Sequence, residues 1–417
     1  MRRSKRTTVG AAVFASAALL VGVLSGCDSV SGTAESTAPD LSGLDVGAFG
    51  GEPITEPHDG TESYGRIVES VRMAEGVLNP YDIDPAFAFG HPSLLPTPGD
   101  TTGILAEVAR PVLTARGMIS GYTVGGADRV DASFQPIIGQ SKSLRITVVR
   151  LPDETAARTA AMEIEAADFA VSLDNIGVPI PKYGKALSHW RPQLPTLGVT
   201  VAHGPYVVTL FVTHPTTDLP AMTAIATATL DAELPRLDRF VPTPADKLAA
   251  LPFDTDGMLR RALPSQPGHW PYPSITALDR GTIAGYGGVH GASGVVYGAS
   301  GADQWTREVS AEGAKPDHPV VDRMAVVDDR WLLRLQDPVR ARKYFDTRAA
   351  EFAQADEALP AVQAVPDATC FRSRDNRMQF FYCQVLDGRY LANVYAPDEK
   401  TVRQMAAAQY ALLVKTR

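Results

Sequence analysis

The chain has 417 residues, 45% of them hydrophobic and 21% charged, a composition of folded protein and a length for two or three domains. That excludes a wholly disordered or fibrous chain. The formal net charge is −8, which argues against nucleic acid as a partner, because a phosphate backbone is held mainly by clustered positive charge.

Arg2, Arg3, Lys5 and Arg6 precede an uncharged run over residues 9–24 that ends in Leu24-Ser25-Gly26-Cys27. The run is shorter than the ~20 residues of a membrane-spanning helix and reads as a secretory signal. Its end looks like a bacterial lipobox, in which Cys27 becomes the first mature residue and carries acyl chains; an unmodified cysteine after a plain signal is the competing reading. Residues 1–27 are thus expected to be a lipoprotein signal peptide. The folded body is expected on the extracytoplasmic face of the cell membrane. Residues 28–42, rich in Ser, Thr, Asp, Ala and Gly, offer too little apolar surface for a core and form a flexible tether reaching roughly 20 Å.

Over residues 43–99 the spacing of Tyr64, Ile67, Val71, Ala74 and Leu78 predicts a helix at 62–78, followed by a proline-rich stretch, 79–99, that wraps without forming elements. Residues 100–245 form a first α+β unit. Apolar runs at 133–138 and 144–151 around Gly139-Gln140-Ser141 read as a hairpin, and Asp153 is placed to cap an Ala-rich helix reaching Phe169. Strands at 197–203 and 206–212 then flank Gly204-Pro205, a turn that sets His203 opposite Tyr206. A helix follows at 219–234. Pro235, Pro242, Pro244 and Pro252 mark a connector, with the boundary near residue 246.

Residues 246–417 repeat this order. Strands at 323–327 and 331–335 precede a helix with Asp337 as N-cap and Pro338 in its first turn. Of the three cysteines, Cys370 and Cys383 remain if Cys27 is lipidated. They lie on β-prone segments around 375–378, and the hairpin register sets them directly opposite one another, so a disulfide is the natural reading in an oxidising compartment. Free thiols and a zinc site are the alternatives, the second short of half its usual ligands. Asp387-Gly388 marks another hairpin, and Asp398 caps a final helix.

Internal matches support a duplication. Asp100-Thr101-Thr102-Gly103-Ile104-Leu105 returns as Asp254-Thr255-Asp256-Gly257-Met258-Leu259, and Ala166-Ala167-Asp168-Phe169 as Ala349-Ala350-Glu351-Phe352, in the same order along the chain. The expected fold is α+β, two related ββαββα domains whose antiparallel sheets carry helices on one face. The lipobox, the tether, Leu44-Asp45-Val46-Gly47, Arg72-Met73-Ala74-Glu75 and Pro80-Tyr81-Asp82-Ile83-Asp84-Pro85, followed by a duplicated body, resemble a family of uncharacterised cell-envelope lipoproteins of mycolic-acid-bearing actinobacteria. That resemblance implies location and fold, and no catalytic residue.

Catalytic motifs are sparse. Gly291-Ala292-Ser293-Gly294-Val295 and Gly298-Ala299-Ser300-Gly301-Ala302 each lack the last glycine of a nucleophile elbow, and no histidine is followed by glutamate. The glycine-rich segment 281–301, with Tyr286, His290 and Tyr297, is a candidate ligand loop; a glycine-bent strand pair or insertion is the plainer reading. His269 and Trp270 could face a glycan or lipid, though a Pro-rich loop packed on its own domain is the plainer reading there too. The leading expectation is a non-enzymatic lipoprotein, with no cofactor or metal. It would bind an envelope lipid, glycan or protein partner, or an apolar component, in the cleft between its domains. The rivals are an envelope hydrolase using Asp254 or Asp256 with His290, and a structural or assembly lipoprotein.

Overall fold

Two seven-stranded antiparallel sheets organise the chain in the computed structural model, which describes residues 39–90, 92–131, 135–277, 290–307, 309–310, 313–314, 321–374 and 380–417. The first sheet contains β1 (Pro92–Leu94), β2 (Ser120–Ala127), β3 (Ser143–Arg150), β4 (Ile176–Gly177), β5 (Leu187–Trp190), β6 (Thr196–His203) and β7 (Tyr206–Thr213). Their spatial order is β1-β2-β3-β7-β6-β5-β4. After it, β8 (Ser274–Ala277) pairs with β9 (His290–Ser293), and β10 (Val295–Tyr297) follows. A second short ribbon joins β11 (Val309–Ser310) to β12 (Gly313–Ala314). The remaining strands are β13 (Val321–Val327), β14 (Arg330–Leu335), β15 (Glu357–Ala358), β16 (Ala368–Arg372), β17 (Phe381–Asp387) and β18 (Tyr390–Ala396). The second sheet runs β10-β13-β14-β18-β17-β16-β15, the order of the first sheet position for position.

The helices are α1 (Glu62–Met73), α2 (Ala109–Ala115), α3 (Glu154–Phe169), α4 (Leu219–Arg239), α5 (Ala299–Thr306), α6 (Pro338–Ala355) and α7 (Glu399–Lys415). The same capping chemistry starts the equivalent pairs, because an aspartate preceding each helix accepts a hydrogen bond from an otherwise orphaned amide of the first turn. Asp153 and Asp337 receive Ala156 N and Arg340 N, both at 2.8 Å; Asp218 and Asp398 receive Ala221 N and Thr401 N at 3.0 and 2.9 Å. The first tight hairpin forms in the expected register, His203 opposite Tyr206, and the second turns on Gly388 and Arg389, with Asp387 opposite Tyr390. Gly204 and Gly388 supply positive φ at 53° and 57°. Cys370 lies opposite Cys383, and the two form a disulfide.

Several expectations are corrected. The partner of β3 is β2, not residues 133–138, of which the described part forms a loop and turn. The proline-rich stretch contributes β1 to the sheet edge, α1 ends at Met73, and α4 continues through Pro235 to Arg239. The helices of each half occupy opposite faces of their sheet, not one. Val149 and Val207 pack with α3, whereas their neighbours Val148 and Val208 pack with α4, and successive side chains on a strand point to opposite faces. In the second half Leu333 and Leu335 pack with α6, and Leu332 with α7.

Residues 40–417 form one compact unit, because the α4 face of the first sheet and the α6 face of the second share a core. Tyr122, Leu144 and Leu210 lie in the same buried cluster as Tyr297, Leu333 and Phe345, with Val71 and Ala74 among them. A polar seam crosses that core. Tyr122 Oη donates to Gln304 Oε1 at 2.7 Å, and Gln304 Nε2 donates to the Val77 carbonyl at 3.0 Å. At one end, fully buried Glu69 on α1 accepts Arg150 Nη1 at 2.6 Å, Thr243 N at 3.0 Å, Thr243 Oγ1 at 2.8 Å and Arg72 Nη1 at 2.5 Å. The carboxylate thereby ties α1, the end of β3 and the connector together. Stranding a buried arginine costs about 3–5 kcal/mol, so Glu69→Ala is expected to lower unfolding free energy by about that much in urea titrations. Replacing Glu69 and Arg150 together by leucine is expected to cost less.

Candidate functional site

A cavity of about 420 Å³ opens on the α3 face of the first sheet. Its origin lies in the composition of two strands and one helix. On β3 and β7 the residues facing α3 begin apolar, Val149 and Val207, and then become Thr147 with Arg145, and Thr209 with Phe211. On α3 the stripe Ala157, Ala160, Ala161 and Ile164 covers the apolar end, and Glu165 and Asp168 continue that stripe in the last turns. The helix therefore covers half of the sheet face and leaves a polar floor. Residues 104–109 and the β5 edge close the sides.

The polar groups converge on His189, from β5. Its Nδ1 lies 2.8 Å from Glu165 Oε1, and its Nε2 lies 3.9 Å from Asp168 Oδ2. Glu165 Oε2 accepts Thr200 Oγ1 at 3.4 Å. Arg191 is held by Nε donation to Asn175 Oδ1 at 2.9 Å, while Asn175 Nδ2 donates to the Phe169 carbonyl at 2.8 Å, at the end of α3. Arg145 Nη1 donates to the Ile104 carbonyl at 2.7 Å. The hydrogen bond to Glu165 raises the His189 pKa above the usual imidazole value despite its burial, and desolvation raises that of Asp168. Around this centre stand Ile138, Leu194 and Phe211, all exposed apolar side chains at the mouth. The site pairs a hydrogen-bonding, charged floor with an apolar rim.

The second half shows what the same place looks like when it is filled. Matching capping residues align Asp168 with Phe352, one position away from the sequence match that set Asp168 against Glu351, and matching hairpin turns align Gly198 with Tyr382 and Phe211 with Tyr395. His189 is the cross-strand partner of Gly198, as Phe371 is of Tyr382. In the second half the four aromatics close on each other. Ring centroids of Phe352, Phe371 and Tyr382 lie 5.0–5.6 Å apart, and Tyr395 lies 6.0 Å from Tyr382. In the first half a glycine replaces the central tyrosine and a histidine and an aspartate replace two phenylalanines. The result is a hollow.

Among the described residues, those singled out from the sequence are not brought together. Tyr297 is buried in the shared core against Trp305, and Trp270 is buried in the second-half core. His269 is exposed and turned onto the Pro267 carbonyl. His290 begins β9, but its side chain and all of Tyr286 lie outside the described residues, as does Cys27. Asp254 caps a local turn through Leu259 N at 2.5 Å, and Asp256 pairs with Arg323 and Arg334, both at 3.0 Å. Their carboxylates are committed to structure. His203 pairs with Asp238 at 2.6 Å and His214 turns onto Thr216; among the described residues no group of side chains is placed to hold a metal ion, and no helix is long and apolar enough to cross a membrane. His189, Glu165 and Asp168 are the residues the sequence reading missed. The usable signal was the switch from alanine to acid along one α3 stripe.

His189 gives the site a measurable pH signature. Its pKa is raised in the folded chain, so its pairing stabilises fully below the unfolded value of ~6.5 and is lost as pH rises through the folded value. The difference in unfolding free energy between the natural chain and His189→Gln is expected to be largest at pH 5.5–6 and to shrink toward pH 9. Taking the difference removes the contribution of Glu233, whose pKa burial pushes up to about 8. A gap that stays constant with pH would contradict the pairing.

Comparison with solved structures finds a likeness to the extracellular domain of PknH from Mycobacterium tuberculosis, at 11% identity and a TM-score of 0.27, covering 44% of this chain and 99% of that one. No curated protein matches the chain. Family models do: the N-terminal domain of unknown function DUF7373 matches residues 56–253, and its C-terminal counterpart matches residues 258–416. With most of its length so matched, the chain belongs to the DUF7373 family.

Proposed function

We propose that this chain is a lipid-anchored binding protein of the outer face of the cell membrane, and that its ligand sits in the first-half hollow. Cys27 at the end of the lipobox is the proposed anchor, supported by the basic start, the short uncharged run and the Leu-Ser-Gly-Cys sequence. One observation carries the binding reading: Gly198, His189 and Asp168 stand where the sister half has Tyr382, Phe371 and Phe352. Filling a core with aromatics stabilises a fold; leaving it open and lined by charge stabilises nothing by itself, and concave sites of this size with a few convergent polar groups are where ligands bind.

The distribution of the lining defines the ligand class. An amphiphile would lay its apolar part against Ile138, Leu194 and Phe211 and present its polar head to His189, Arg191 and the threonine floor. This reading moves the ligand from the cleft between the halves, where the sequence suggested it, into one half. Hydrolysis is the second reading, favoured by the His189–Glu165 contact, since a carboxylate-oriented imidazole can activate water.

The experiment transplants the sister half's solution. Full-length chain extracted from its membrane in mild detergent is examined by native mass spectrometry beside a Gly198→Tyr, His189→Phe double variant. The natural chain is expected to retain a bound envelope amphiphile and the variant to lose it, while the variant keeps the far-ultraviolet circular dichroism of the natural chain. Equal retention by both would overturn the assignment. Turnover of an ester probe that disappears in His189→Gln would replace binding with hydrolysis.

A further inference from the structure

A second cavity, of about 500 Å³, lies where the two halves meet, and its wall has a different chemistry. Arg72 comes from α1, Arg236 and Arg239 from the last turn of α4, and Arg323 from β13. Glu75 is the one carboxylate among the described residues of the wall, and its Oε1 is already engaged by Ser300 N and Gly301 N at 3.0 and 3.1 Å, in the first turn of α5. The acids behind the wall are shared as well. Glu69 serves Arg150 in addition to Arg72, and Asp256 serves Arg334 in addition to Arg323.

Three of the guanidinium groups are held in place. Arg72 donates to the Val241 carbonyl at 3.2 Å and lies 5.7 Å over the Phe240 ring; Arg236 donates to the Glu75 carbonyl at 3.1 Å and to Ser300 Oγ at 2.5 Å; Arg323 donates to the Asp322 carbonyl at 2.7 Å. Neither Arg236 nor Arg239 forms an ion pair among the described residues, although the charge of Arg236 acts on Asp82 and Glu233 nearby. Four positive charges thus converge on one concavity in a chain whose net charge is −8. Fixed arginines in a cleft concentrate positive potential, and their planar forks suit anions with several oxygens.

We infer that the cavity between the halves is a binding site for a phosphate-bearing anion, distinct from the first-half hollow. Guanidinium groups arriving from α1, α4 and β13 surround the space, which fits a tetrahedral group with oxygens on every side better than a planar carboxylate. Both a free phosphate compound and the headgroup of a phospholipid present that chemistry.

The test titrates full-length chain in detergent by calorimetry with two probes, inorganic pyrophosphate and glycerophosphoglycerol, the soluble headgroup of a phospholipid. Saturable one-site binding of at least one probe is expected, weakened by salt and at least tenfold weaker in Arg239→Gln and in Arg236→Gln. Arg239 is exposed at the end of α4, so its replacement leaves the fold intact. Pyrophosphate binding alone would assign the site to free phosphate compounds, and binding of glycerophosphoglycerol to a lipid headgroup. The Gly198→Tyr, His189→Phe variant is expected to bind the probes normally, which separates this site from the hollow. No saturable binding of either probe, or the same affinity in both arginine variants as in the natural chain, would overturn the inference.

Discussion

Backbone hydrogen bonding between antiparallel strands decides which side chains share a face and which confront each other, and that constraint is common to both halves of this chain. Two-residue turns after His203 and Asp387 lock the two central hairpins into the same register. A slip of one residue would turn every side chain to the opposite face. Because the registers agree, Gly198 and Tyr382 occupy one structural position, and a difference between them is a difference in chemistry alone. The hollow follows from that. With no side chain at 198, the nearest atom to where a Cβ would stand is His189 Cε1, at 3.4 Å, and the imidazole borders open space instead of a ring.

The same architecture explains how charged groups persist near a buried face. The shared core of the two sheets supplies the apolar burial, and the α3 face of the first sheet is released from that duty. Acids at the end of α3 are then tolerated because each has a partner: Glu165 has His189 and Thr200, and Asp168 lies near His189. Glu69, by contrast, is buried within the fold and fully satisfied by four donors. Its role is to hold α1 against both the sheet and the connector. The two carboxylate clusters share a chemistry and differ in access, one sealed and one opening on solvent.

The sequence made the local rules legible and concealed the ones that depend on distant neighbours. Cys370 opposite Cys383, His203 opposite Tyr206 and the aspartate caps all follow from turn and cap chemistry acting within a few residues. Strand β2 was hidden because Gly121, Gly125 and Gly126 break its alternation. Those glycines answer contacts from elsewhere: a Cβ on Gly126 would stand 2.7 Å from the Phe87 carbonyl, and one on Gly121 2.9 Å from that of Val148. Helix placement on both faces was likewise invisible, since each helix shows one apolar stripe whichever face it covers. The hollow needed residues from α3, β5 and β6 together, and no segment of the sequence contains more than part of it.

Direct observation of the hollow in a crystal of the chain purified from its own membrane tests the central claim. The account predicts continuous electron density of a bound molecule between His189, Gly198 and Phe211, and none beside Phe371 and Tyr382. Ordered water alone in the first-half hollow, at full occupancy of the surrounding side chains, would contradict it.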